Sequence, residues 1–551
     1  MTKSNETTIF NIKDFIIPIL LAVFVIWQGS YFPIQFFMLI GLFLIAFILK
    51  GKSVFVTKEV LILGAMFFLY LVSFLLNAEN LYNGLVEVLR AAVFPMSLIL
   101  FLNINLDKIE KALFIAIFYV AIFGLLDVFE VIYIPGGVDE SVGRLHSTIQ
   151  YANMAALLML VGILYCIRDI MLQKQNKIIS FAALVLFALS LYLTGSRTTL
   201  VIAMFVCALY IFMVLKQRSK IIITGIVIGV VGAAIIAALH SFTDIRIFRI
   251  TIFESTFIER IITFQDAVGM LNGRWLLGIG TGNWQEWQIL YQSAPYHVRF
   301  IHNYYMQLFL DAGIFAPILF FAALIPSIIR GIKLKSVHSM VIIAFVLHSF
   351  LDIGFIFAAG VMITTFSIAR LNEGGKKINI GRWRYTAIMP LILVAILWGS
   401  EFSSTIAQMH RVNGNIEASM SANKTALTLN PLNADLYFRM AQSTRDIQLT
   451  EHYIRVNLER NPRNLHALAE LARIEKNRGN FKEALHYSTQ LVEARPFLRE
   501  FRYLHVDIAR VALYNGVINY LEYTYILEKI DDILANINPL YLQFHRSELP
   551  E

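Results

Sequence analysis

Charge is scarce in this chain: only 15% of its 551 residues are Asp, Glu, Lys or Arg, while 58% are hydrophobic. A soluble globular domain carries about 25% charged residues, and the mean hydropathy of +0.65 excludes that class. Cysteine is scarcer still. Cys166 and Cys207 both fall inside apolar runs, where a thiol packs like a small aliphatic side chain, so they argue for neither a disulfide framework nor a metal site. The polar segments between the runs hold no Asp-x-Asp pair and no His, Asp and Glu cluster at metal-ligand spacing. No metal and no cofactor is therefore expected. The first apolar run is not followed by a small-residue cleavage site, and it is read as a retained helix rather than a signal peptide.

Long apolar sequence is what the chain has in quantity. A helix crossing hydrocarbon needs roughly 20 apolar residues, because no water is there to satisfy its backbone. Runs of this kind predict thirteen spans, near 12–29, 33–49, 60–77, 85–103, 109–134, 152–168, 178–194, 198–215, 220–240, 303–329, 337–351, 355–370 and 385–403. The pair around Asp352 also fits a re-entrant hairpin. The expected fold is all-α: a polytopic membrane bundle.

Charge bias orients it. Lys50, Lys52 and Lys58, then Lys108 and Lys111, Arg168, Lys174 and Lys177, Lys216, Arg218 and Lys220, Arg330, Lys333 and Lys335, and Arg370 to Arg384 gather at alternate ends of the spans. Those ends, and the N-terminus, are predicted to be cytoplasmic. The turns 28–33 and 77–84 contain no Lys or Arg and fit the outer side. The longest polar stretch, 241–302, also falls outside, yet it carries Arg246, Arg249, Arg260, Arg274, Arg299, His297 and His302. Arginines held against the prevailing bias point to an anionic ligand there. The net charge of +8 is accounted for by anchoring to anionic lipid and gives no reason to expect nucleic acid.

Beyond Phe402 the composition becomes soluble. Asn461-Pro462-Arg463-Asn464 leads through Leu465 to Leu471 into Gly479-Asn480-Phe481, then Ala484 and Arg495-Pro496. The segment resembles a tetratricopeptide repeat, with a turn glycine, a small residue at the helix contact and two prolines one repeat apart. Such a region, within 404–551, serves either as a cap or as a docking platform for a protein partner.

Three shorter elements lie in outer turns. Thr194-Gly195-Ser196-Arg197-Thr198 joins two spans; alone, Arg197 reads as a snorkelling side chain. Gly143-Arg144 and Gln150-Tyr151-Ala152-Asn153 open another span, placing Arg144 and Asn153 at one level. In the long loop, Arg260 precedes an amphipathic stretch that runs to Met270 and on into Gly278-Ile279-Gly280-Thr281-Gly282. Such a run can cradle phosphate with its amides, though a tight turn is the commoner use. His302-Asn303 then opens the next helix, followed by Gln307, Asp311 and Gly313.

In this order the elements resemble the O-antigen ligase and polymerase family of bacterial membrane glycosyltransferases. The resemblance covers about 140–355, and Asp311 and Ala316-Pro317 depart from the family pattern. It implies a GT-C-like membrane domain over 1–403, with an outer loop at 241–302 and an extracytoplasmic tail. The implied donor is a glycan on undecaprenyl diphosphate; the acceptor is a hydroxyl on a lipid, glycan or protein. Arginine stays protonated and can bond phosphate oxygens in pairs, so Arg197 and Arg260, with Arg144 as a third, are the candidate diphosphate clamp. Asn303 and Asn153 are further candidate substrate-binding residues. His302 is the candidate base for the acceptor hydroxyl. With arginines in place of a divalent cation the transfer is expected to be metal-independent, and the family implies inversion. His348 and Asp352 form a second buried polar pair, and Glu87 and Arg90 are expected to neutralise each other. A polymerase joining lipid-linked repeats uses the same residues. A lipid-linked glycan transporter would instead spread arginines through the membrane depth, and a non-catalytic scaffold leaves the arginine and histidine pattern without a purpose.

Overall fold

The computed structural model describes residues 13–49, 53–172, 176–215, 255–372 and 375–544. The span expected at 220–240, with Arg246 and Arg249, lies outside them. Among the described residues, seven helical stretches are long and apolar enough to cross a membrane: Lys58–Asn77, Leu81–Phe101, Leu106–Val128, Ala152–Leu172, Arg197–Val214, Phe315–Lys333 and Gly381–Val412. Shorter apolar helices include Pro33–Leu49, Lys177–Leu193, Val337–His348 and Ala358–Leu371. The chain is an all-α polytopic membrane protein.

Side-chain size sorts these helices into centre and rim. Ala152–Leu172 is almost wholly buried; its Gly162 lets the Phe187 ring approach so closely that an added Cβ would sit 2.7 Å from it. Leu75, Leu76, Ile178 and Ile179 on outer helices are more than 60% exposed, the apolar surface that a bilayer would cover. Leu81–Phe101 runs through the core carrying Glu87 and Arg90. Arg90 is 4% exposed and bonds Glu87 at 2.9 Å and the Ile356 carbonyl at 2.6 Å, with its guanidinium over Phe36. The expected neutralisation is seen, and it also ties three segments together.

The span expected at 303–329 divides into Tyr304–Ala312 and Phe315–Lys333. Gly313 breaks it with φ +80°, and an added Cβ would lie 1.8 Å from the Leu276 carbonyl oxygen. Apolar composition alone could not show this break, because its cause is a distant strand of the loop. That strand docks through the Ile314 amide to the Trp275 carbonyl and the Ile279 amide to the Leu310 carbonyl.

Two small strand pairs accompany the helices, Ser53–Val56 with Lys376–Asn379 and Val138–Asp139 with Arg144–Leu145. The last apolar helix continues through residue 403 to Val412, so the tail leaves the bundle on a continuous helix. Helices Leu465–Arg478 and Phe481–Ala494 pack together across a two-residue turn, with Gly479 in the left-handed region and Ala484 fully buried. The tail also packs on the segment that follows residue 255, where Ile537 and Tyr541 share a core with Ile258 and Ile262, and on the 77–84 turn, where Arg463 pairs with Glu79 at 2.7 Å.

Candidate active site

Asp352 lies in the turn between Val337–His348 and Ala358–Leu371, 1% exposed. An isolated buried carboxylate is strongly unfavourable, and here three segments far apart in sequence, with the adjoining Ile353 amide, supply its partners. The Tyr151 hydroxyl donates to Oδ1 at 2.6 Å and Asn153 Nδ2 to Oδ2 at 2.5 Å. Arg260 Nη2 approaches Oδ2 at 3.5 Å, and His302 Nδ1 stands 3.8 Å from Oδ1. The Ile353 amide completes the shell at 2.7 Å. The last two side-chain distances are too long for strong hydrogen bonds, so Arg260 and His302 face the carboxylate without being locked to it. Burial works to raise the Asp352 carboxyl; the facing His302 imidazole, His348 and Arg260 outweigh it and hold the group well below the usual carboxylate range.

A second layer reaches Arg144. Its Nη2 donates to Asn153 Oδ1 at 3.1 Å and its Nε to the Thr194 carbonyl at 2.8 Å. The Arg144 side chain lies across Gly195, which has φ +62°. Arg197 begins its helix two residues later, directly after the turn that Arg144 covers. The structure thus gathers Arg144, Asn153, Arg260 and His302 around one carboxylate, with Arg197 at the adjoining turn.

Asn303 has a different place. Its Oδ1 accepts from the Met306 amide at 2.9 Å and its Nδ2 donates to the Phe350 carbonyl at 3.1 Å. It caps the helix that follows His302 and joins it to the Asp352 turn, which orients His302. The other described loop cations lie elsewhere: Arg274 stacks on Trp287 and Arg299 on Tyr31, while His297 has Arg495 and His466 as electrostatic neighbours.

The glycine-rich run is a packing device. An added Cβ on Gly278 would lie 2.1 Å from the Leu310 carbonyl oxygen, and one on Gly280 2.6 Å from that of Asn77. The Gly282 amide donates to Asp311 Oδ1 at 3.1 Å, and Gln307 Nε2 to Oδ2 at 3.0 Å. Its glycines serve close approach of backbone to backbone, which is the tight-turn reading rather than a phosphate cradle.

The expected His348 and Asp352 pair is not a hydrogen bond. Both His348 ring nitrogens are buried without a hydrogen-bond partner, whereas Asp352 is the hub of the site. Sequence reasoning missed this role, and that of Tyr151. The available signal was a lone acidic residue at the outer end of apolar helices, where only the outer arginines and His302 could offer opposite charge. Among the described residues, no three His, Cys, Asp or Glu side chains converge as metal ligands would.

Residues 182–321 match a family model described as O-antigen ligase. The match includes Arg197, Arg260, His302 and Asn303, and supports a membrane glycan-transfer role. Arg144, Asn153 and Asp352 lie outside it and join the site through the contacts above. No curated protein matches the chain.

Proposed function

We propose that the protein transfers a glycan from undecaprenyl diphosphate to an acceptor hydroxyl at the outer face of the plasma membrane, as an O-antigen ligase does. The observation that carries this reading is the convergence of Asn153, Arg260 and His302 on Asp352 from separate segments, with Arg144 bonded to Asn153 behind them. Breaking the bond between the anomeric carbon and the diphosphate leaves negative charge on the leaving oxygen. Arg260 and Arg197 hold that diphosphate and stabilise the charge as it grows; preorganised donors of this kind contribute about 3–4 kcal/mol each. Arg144 supports the clamp from the Thr194 turn.

His302 removes the acceptor proton through one ring nitrogen. The other faces Asp352, which orients the ring and stabilises the imidazolium that forms. The acceptor oxygen attacks the anomeric carbon opposite the diphosphate, so the linkage inverts, and cationic side chains supply the electrostatic role without a metal. The 404–551 tail, tetratricopeptide-like and grown from the last apolar helix, would face the same outer side and dock a separate acceptor. Its grip on the loop through Ile537 and Tyr541 favours a ligase reading over polymerisation between two carrier lipids.

The test is surface glycan attachment in cells carrying His302→Ala or Arg197→Ala. Full-length glycan left on the carrier with none attached supports ligation. Single repeat units on the acceptor indicate a polymerase, and wild-type glycan in both variants contradicts the assignment.

A further inference from the structure

An apolar cavity among the described residues lies away from Asp352, in the half of the bundle below the Leu89 level. It has a volume of about 800 Å³ and is walled by Phe43, Leu89, Ala92, Ile99 and Val394, with Asn103 and Thr386 among its few polar lining residues. From Leu89 to Leu100 the wall is about 16 Å deep at 1.5 Å per residue, roughly one leaflet of a 30 Å hydrocarbon core. Its mouth faces outward, since the lining residues Ile16, Ile45 and Leu49 are 47%, 44% and 56% exposed. A space with such walls offers too few polar partners to hold ordered water.

Independent chemistry stands at its polar end. Thr386 belongs to the Gly381–Ala387 turn, which reads Arg382-Trp383-Arg384-Tyr385 and leaves Trp383 77% and Tyr385 48% exposed. The paired strand Lys376–Asn379 contacts the wall through Ile378 opposite Val54 and adds exposed Lys376 and Lys377. Exposed aromatics interleaved with basic residues match the headgroup layer of a membrane, where cations attract anionic lipid.

We propose that this cavity is a binding site for one anionic phospholipid of the leaflet opposite the candidate active site. Its acyl chain fills the Phe43, Leu89 and Val394 space, and its phosphate rests at the Asn103 and Thr386 end beside Arg382 and Arg384. A carrier-lipid diphosphate does not suit it, because that headgroup belongs at Asp352, on the other side of the membrane. That exclusion rests on the proposed function; the fit of an acyl chain and a phosphate to this cavity does not.

The test uses the full-length protein in mild detergent with palmitoyl-oleoyl phosphatidylglycerol or phosphatidylcholine added at equal concentration, and retained lipid counted by native mass spectrometry. One phosphatidylglycerol per chain is expected, retained at least tenfold better than phosphatidylcholine. Ala92→Phe or Val394→Phe, which fill the cavity, should lower retention of both lipids at least tenfold. The pair of substitutions Arg382→Gln, at an exposed position, and Arg384→Gln, at a half-buried one beside Tyr385, should fold normally and remove only the headgroup preference. No retained lipid on the wild type, equal retention of the two lipids, undiminished retention in folded cavity-filling variants, or a polyprenyl phosphate held in place of phospholipid would each overturn the proposal.

Discussion

Two charge clusters sit near opposite ends of the bundle, and they are built differently. Around Glu110 the contacts are short: Arg168 bonds Glu110 at 2.5 Å and Asp169 at 2.8 Å, and Arg370 bonds Asp107 at 2.6 Å and Glu110 at 3.0 Å. His338 adds a fourth helix at 3.5 Å from Glu110. Acids and bases there are nearly balanced, and both arginines are closed onto carboxylates at 3.0 Å or less, although Arg370 Nε and His338 Nδ1 have no hydrogen-bond partner. Around Asp352 a single carboxylate is shared, and the two groups proposed to act on substrate, Arg260 and His302, stand off at 3.5 and 3.8 Å. A cluster that only braces helices closes its ion pairs; a site that must accept a ligand leaves its cations close and incompletely engaged. Both contain buried ions, so burial of charge alone does not separate the two uses.

Substitutions can break that comparison. His302→Ala should lower transfer about 10²–10⁴-fold, the usual range for a lost general base, with the melting temperature of purified protein close to wild type. Loss of folded protein instead would place His302 with the bracing groups. Arg168→Ala should do the reverse, because it strands the buried Asp169 and leaves Glu110 with Arg370 and His338 alone. A cost of about 3–5 kcal/mol is expected from leaving buried charge unpaired, read as a lowered melting temperature and less folded protein in the membrane. Normal stability with abolished transfer would undo the distinction.

The expected apolar spans that fall within the described residues correspond to helices because backbone satisfaction in hydrocarbon leaves so little choice. The break at Gly313 was invisible for the opposite reason. Nothing local requires it, and the Leu276 carbonyl that fills the notch lies 37 positions away. The site was legible in its parts: Arg144, Asn153, Arg260 and His302 were each marked by polar residues in outer turns. Their common partner was not. Asp352 looked like half of a pair with His348 because one helical turn is the shortest route from sequence to contact, yet the fold directs its oxygens at Tyr151 and Asn153 across the bundle. Asn303 had its position read correctly, but the structure spends its amide on a helix cap.

Smaller effects sharpen the contrast between bundle and tail. His505 is 5% exposed and bonded to Ser488 at 2.8 Å; burial, aided by Lys529, pushes its imidazole down to about 4. The folded tail therefore keeps the ring neutral where the unfolded chain would protonate it. Its stabilisation is complete above the ordinary histidine value near 6.5 and is lost as pH falls toward 4, by at most about 1.4 kcal/mol per pH unit. Melting of the tail, followed by hydrogen exchange of the full-length protein, should drop between pH 7 and pH 5, and His505→Asn should flatten that dependence. An unchanged slope would assign it to other groups. Gly479→Ala should cost about 1 kcal/mol through its φ of +81° alone, since nothing stands within 4 Å of the added Cβ. A loss of several kcal/mol would mean that this turn carries tertiary contacts.

The most direct test of the Asp352-centred site is equilibrium binding of undecaprenyl diphosphate to the full-length protein in nanodiscs, comparing wild type with Arg260→Ala and Arg197→Ala. Each arginine should be worth roughly 10²-fold in affinity, in line with charge-assisted bonds to phosphate. The cavity-wall variant Val394→Phe should bind as wild type does. Wild-type affinity in both arginine variants would contradict the account, because cations that do not hold the diphosphate leave the arrangement around Asp352 with no anion to bind.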